Sequence, residues 1–145
     1  MDLMYIGRYK RENGFLYWIL IEILSRYASA IPVYRKDTSN MTKAVTLILK
    51  EFKNRFGNYP KLAQFDDGKE FYNVGVKALL EKRGVKYFST NSDKKAEVVE
   101  RFNRILKTGM WKYFYIKGTY KWIDILDGLV SNYNGTKHSV ILMKP

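Results

Sequence analysis

Residues 15–24, FLYWILIEIL, limit how this chain can fold more than any other stretch. The run is almost wholly apolar, rich in Ile, Leu and aromatic residues, and opens after the turn dipeptide Asn13-Gly14. It is too short to span a bilayer and contains Glu22. It also lies too deep in the chain, and lacks the small-residue cleavage site, to be a signal peptide. Residues 17–24 therefore read as a strand. DLMYIG (2–7) and ASAIPVY (28–34) read as strands on either side of it, with RYKRENG (8–14) and SRY (25–27) as the hairpin turns. A chain of this length, 145 residues, suits one domain with a single sizeable core.

The second half alternates. SNMTKAVTLILKEFKNRFG (39–57) reads as an amphipathic helix, capped by Ser39 or Asn40 and ended by Gly57. Its Ala44, Ile48, Phe52 and Phe56 recur at i,i+4 spacing. KLAQFD (61–66) reads as a short strand, EFYNVGVKALLEKRG (70–84) as a helix and VKYFS (85–89) as a strand. A polar loop, TNSDKK (90–95), leads into a helix that continues through GMWKYFYIKG, with Gly109 weakening its middle. YKWIDILDGLVSNYNG (120–135) reads as the last helix, stopped at Asn134-Gly135. An antiparallel meander followed by alternating helices and strands is a mixed-sheet α/β layer fold.

Charge narrows the partners. There are 26 basic and 14 acidic residues, a net charge of +12, on a chain that is 46% hydrophobic and 16% aromatic. Such a chain folds, and its charge calls for a polyanion, nucleic acid first. No lipidation motif or lipid-facing basic helix points to a membrane. With no cysteine, disulfides and thiolate zinc sites are excluded, and a reducing compartment is plausible.

Within this basic chain, carboxylates fall at particular places. Asp2 lies in the first strand. Asp66 ends the fourth strand in AQFDDGKEF, where Gly68 permits a tight bend. Glu97 and Glu100 lie in DKKAEVVERFNRILK (93–107). At about 100° per residue, Val98, Val99, Phe102, Ile105 and Leu106 gather on one side of that helix. Glu97, Glu100, Arg101, Arg104, Lys107 and Thr108 gather on the other. Alone, this polar face reads as a solvated surface with Glu97–Arg101 and Glu100–Arg104 pairs. Three acids from separate elements suit Mg²⁺, which takes carboxylate and phosphate oxygens. A pair of metals can clamp both oxygens of a phosphoryl displacement.

FDDGKEFYN, YFSTNSDKKAEVVERFNRILKTGMWKYF and WIDILDGLVSNYNGTKHSVILMKP resemble, in order and over nearly the whole chain, the catalytic core of integrases. The likeness is to the integrases of Maverick/Polinton-type eukaryotic DNA transposons, cousins of the retroviral enzymes. The resemblance implies a ribonuclease H-like fold, a mixed five-stranded sheet flanked by helices. It implies an Asp–Asp–Glu triad that binds two Mg²⁺ or Mn²⁺ ions for 3′-end processing and strand transfer. On this sequence the triad falls on Asp2, Asp66 and Glu100, with Glu97 as the rival third acid. Lys94 and Lys95, in the loop over the site, and Arg104 and Lys107, beyond Glu100, would contact DNA phosphates.

The implied partners are double-stranded DNA, as transposon ends and target, and further copies of the chain in a homodimer or higher oligomer. The implied location is the nucleus, or the cytoplasm before nuclear entry. The chain departs from the pattern in places. The first strand before Asp2 is expected to be truncated, and the zinc-binding and C-terminal DNA-binding domains that accompany many integrase cores are not in the sequence. Asp67 adds an anion beside Asp66, and Glu22 stands where an Asp is common. His138 is assigned a structural role.

Two other functions compete. One is a domesticated, non-catalytic DNA-binding or oligomerisation module, separable by metal-dependent nicking. The other is ribonuclease H itself, which would cut RNA in hybrids.

Overall fold

Alternation along the strands divides the molecule in two. The computed structural model describes residues 1–15, 17–22, 26–65, 68–89 and 93–136, with backbone alone for 18–22 and 93–98. Strand β1 (Asp2–Tyr5) sends Leu3 into one apolar cluster and Met4 into another. Strand β3 (Ala28–Val33) does the same, with Ile31 and Val33 on the first side and Ala28 and Ala30 on the second. Between them lies β2 (Tyr17–Glu22), the apolar run. It pairs antiparallel with β1, Asp2 opposite Leu20, and with β3, Glu22 opposite Ala28. Pro32 is accommodated because β3 is an edge of this ladder.

Helices cover both faces. Helix α2 (Thr38–Phe56) buries Met41, Ala44, Val45, Ile48 and Leu49 in the first cluster, joined by Val76 and Leu80 of α3 (Val74–Lys82). Helix α4 (Asp93–Lys117) buries Phe102, Leu106, Met110 and Phe114 in the second, with Leu126 and Tyr133 of α5 (Leu126–Gly135). Each fully buried side chain of this size is worth about 1.5–3 kcal/mol, so a few such residues hold each helix to the sheet. The single core expected from length is thus two clusters, one on each side of the sheet. Ala28 and Ala30 are small enough to let α5 approach. Asn134 of α5 then accepts from Ala28 N (2.9 Å) and donates to Ala28 O (2.8 Å), satisfying β3 as a neighbouring strand would.

The element order is the one expected: three strands, then helices alternating with β4 (Leu62–Phe65) and β5 (Lys86–Ser89), then two helices. Among the described residues, five strands form two ladders, β1-β2-β3 antiparallel and β4-β5 parallel, in place of the one five-stranded sheet expected. The ladders adjoin where the Met1 amino group donates to Gln64 O at 2.6 Å.

Local details differ from the sequence reading. Residues 8–14 are no simple hairpin turn. They form most of a 3-10 turn (Gly7–Tyr9) and a short helix α1 (Lys10–Asn13), ended by Gly14 at φ 75°. Helix α2 starts two or three residues earlier than expected. The carboxylate of Asp37, a stronger acceptor than Ser39 or Asn40, takes Asn40 N at 2.8 Å and Asn40 Nδ2 at 2.7 Å. These bonds hold the Asp37 carboxyl below its ordinary range. Helix α3 starts at Val74, where Asn73 accepts from Val76 N (2.9 Å), and residues 68–72 make turns before it. Helix α4 already begins at Asp93, so Lys94 and Lys95 belong to its first turn and not to a loop. Among the described residues, no helix is long and apolar enough to cross a membrane.

Candidate functional site

Asp2 opens β1 and is half-buried. It shares a strand face with Met4, and Met4 packs in the cluster that α4 covers. Asp2 thus stands on the α4 side of the sheet. Its neighbour Met1 bonds Gln64 of β4, and β4 ends at Phe65, the residue before Asp66. Asp66 and Asp67 lie outside the described residues, as does His138. The C-terminal end of β4 is nevertheless brought beside the start of β1, where Asp2 lies. Phe65 fixes that end: it is buried and stacks on Phe71 with ring centroids 5.0 Å apart.

Helix α4 supplies the remaining residues. Glu100 is exposed on its outer side, and Arg104 is exposed one turn later. The expected Glu100–Arg104 pair does not form, and among the described residues Glu100 makes no ion pair. Its carboxylate is not committed to supporting the helix. The side chains of Lys94, Lys95 and Glu97 lie outside the described residues.

Lys107 departs from the helical wheel. It is half-buried, and its Nζ reaches Met4 Sδ at 3.3 Å. Met4 and Asp2 are two residues apart on one strand face, roughly 7 Å along it, so Lys107 leans toward the strand that bears Asp2. Helix α4 is rotated relative to the sequence reading. Ile105, assigned to the core, is 45% exposed, while Asn103 is buried.

Sequence reasoning missed Asn103. Its Oδ1 is buried without a hydrogen-bond partner, one turn after Glu100 and one turn before Lys107. A buried, unpartnered acceptor is costly. The signal was present in the sequence as a polar residue adjoining Phe102 in the apolar stripe.

The donor chemistry suits a hard divalent cation. Asp2 and Glu100 offer carboxylate oxygens, the ligand type Mg²⁺ and Mn²⁺ take. Among the described residues, no group of three His, Cys, Asp or Glu side chains could hold a metal ion, and the third acid of the sequence assignment, Asp66, is outside that set. The neighbouring cations Arg104 and Lys107 suit a phosphate backbone.

No protein-family profile matches the chain. An uncharacterized transposon-derived protein of Caenorhabditis elegans is 36% identical to it over 142 residues, which is 97% of the chain. The match takes in 48% of the worm protein, so the chain spans about half the length of this curated relative. The cryo-EM structure of the simian T-cell lymphotropic virus intasome in complex with PP2A regulatory subunit B56 gamma contains a polypeptide of the same fold. The TM-score is 0.70 at 17% identity, over 96% of this chain and 47% of that polypeptide. The mixed α/β architecture is therefore a known one, and the sequence kinship is with a transposon-derived protein.

Proposed function

We propose that the chain is the ribonuclease H-like catalytic core of a Maverick/Polinton-type integrase. In this reading it processes transposon DNA 3′ ends and joins them to target DNA, in the nucleus and as a dimer or larger assembly. The observation that carries the reading is the junction at Met1 and Gln64. It sets the start of β1 beside the end of β4, on a sheet whose Asp2 side is covered by the helix bearing Glu100. The transposon-derived relative, and the fold shared with a polypeptide of a viral intasome structure, support the same reading.

Asp2, Asp66 and Glu100 would hold two Mg²⁺ or Mn²⁺ ions, whose chemistry when bound is to stabilise charge on a phosphate undergoing in-line displacement. The chain's own residues do the positioning. Arg104, exposed, and Lys107, leaning toward β1, attract the phosphate backbone and orient it without reading sequence. Lys94 and Lys95 add cations at the first turn of the same helix. None of these roles needs a covalent enzyme intermediate.

The test uses supercoiled plasmid and short duplexes with Mn²⁺. The parent should nick them, and Asp2→Asn, Asp66→Asn and Glu100→Gln should each abolish nicking. Glu97→Gln should not. Calorimetric titration gives a second readout: the parent should take up Mn²⁺ and Asp66→Asn should not. Metal-free DNA binding should survive in Asp66→Asn, since less negative charge does not weaken attraction to phosphate. A parent that neither nicks DNA nor takes up Mn²⁺ would leave a non-catalytic DNA-binding module as the better account.

A further inference from the structure

A second basic site lies on the other side of the sheet. Helices α2 and α3 and the residue Tyr59 enclose an open cavity of about 280 Å³. Lys50, Lys53 and Arg83 line it, and no carboxylate does. Lys53 Nζ and Arg83 Cζ each lie over the Tyr59 ring, 5.0 Å from its centroid. The ring's π-electrons attract both cations. Among the described residues, Lys50, Lys53 and Arg83 form no ion pair, whereas Lys36 pairs with Glu70 and Lys121 with Asp124.

The nearest acid in sequence is committed elsewhere. Glu51 follows Lys50, but its carboxylate accepts from Tyr27 Oη at 2.8 Å and from Ser29 Oγ at 2.7 Å, toward β3. Glu81, two residues before Arg83, does not line the cavity either, so three cations and no carboxylate face the hollow. Three like charges converging on a concave surface repel one another, and an entering anion relieves that repulsion. Leu49 and Leu79 supply an apolar floor that keeps the cations' stems in place.

We infer that the cations of this cavity contact neighbouring phosphates of a nucleic-acid backbone, giving the chain a second DNA-contacting surface, on the sheet face opposite α4. Lys50, Lys53 and Arg83 are the phosphate contacts, and Tyr59 organises two of them. The inference takes its nucleic-acid partner from the proposed function and none of its chemistry. Backbone DNA is the source favoured by the +12 charge of the whole chain, because a free phosphate would gain nothing from the remaining cations.

The experiment measures duplex DNA affinity against salt for the parent, for Lys50→Ala/Lys53→Ala/Arg83→Ala, and for an equal-charge control, Lys61→Ala/Lys86→Ala/Lys117→Ala. Each lost phosphate contact lowers the slope of log K against log salt by about 0.9. The cavity variant should therefore lose roughly 2–3 units of slope, and the control much less than that. Lys53→Arg combined with Arg83→Lys should retain most of the affinity. Thermal melts by circular dichroism check that each variant folds.

Equal losses in cavity variant and control would reduce the effect to general charge and overturn the inference. So would an unchanged slope. If inorganic phosphate shifts the Tyr59 ring resonances at low millimolar concentration while DNA affinity ignores the substitutions, the site serves a small phosphate compound and the DNA assignment fails. A parent that binds DNA but never nicks it removes the catalytic reading and leaves this one standing.

Discussion

Asn13 shows how one side chain can determine a whole connection. Its Nδ2 donates to Tyr9 O (2.8 Å) and Tyr120 O (2.9 Å), and its Oδ1 accepts from Trp122 N (2.7 Å) and Ile123 N (3.1 Å). The residue is 7% exposed. It ties the short helix after β1 to the link between α4 and α5, more than a hundred positions away. In the sequence, Asn13-Gly14 looked like an ordinary turn dipeptide, because nothing local reveals that the partners lie near residue 120. Alanine at 13 removes both donor and acceptor and leaves buried backbone groups short of a partner. The expected cost is about 3 kcal/mol, from roughly 1–3 kcal/mol for each buried group left unsatisfied, softened by relaxation. Urea denaturation of Asn13→Ala measures it. A loss under about 1 kcal/mol would mean that the link between α4 and α5 finds other partners and that Asn13 is not its anchor.

At the scale of elements, packing decides what periodicity leaves open. Gly109 read as a weak point in α4, yet the helix runs unbroken from Asp93 to Lys117. The glycine has a spatial reason: a Cβ there would meet Leu129 Cδ2 of α5 at 2.7 Å. Gly109→Val forces Leu129 to move and should cost about 1–3 kcal/mol, as overpacking does. In a Leu129→Ala background the same change should cost much less, and the double-mutant cycle reads the coupling directly. Equal costs in both backgrounds would show that Leu129 is not what the added side chain meets. The strands were legible because apolar runs bounded by turn residues have few alternatives, and α4 because its apolar period is long. The boundaries were less so. Asp37 and Asn73 open helices through side-chain caps that compete with several equally plausible caps nearby. The carriers of the candidate site were legible too, since Asp2 and Glu100 sit on the elements expected. The direction of Lys107 was not, because the helical wheel cannot know that Met4 offers it a contact across the sheet.

For the whole molecule, the sheet separates two cationic regions. Arg104 lies on α4, and Lys50, Lys53 and Arg83 lie around Tyr59 on the α2–α3 side. The helices that carry them draw on different hydrophobic clusters. Substitutions at sites without shared partners are additive. If each region holds its own phosphates, the salt slope lost by Arg104→Ala, about 0.9, should add to that lost by the cavity variant, and the combined variant should lose the sum. The competing arrangement is a single duplex that reaches either region but not both. There the weaker region contributes little while the stronger is intact, so Arg104→Ala alone is nearly silent and the combined loss exceeds the sum. Fluorescence anisotropy with one labelled duplex, read across a salt series for all four proteins, separates these cases. Stoichiometry at saturating DNA adds an independent check. A duplex that bridges both regions should saturate at one per chain in the parent and in the cavity variant alike, whereas two independent regions would admit a second short duplex that the cavity variant loses. A parent that saturates with a single short duplex, and whose two losses are not additive, would place all the binding on one face.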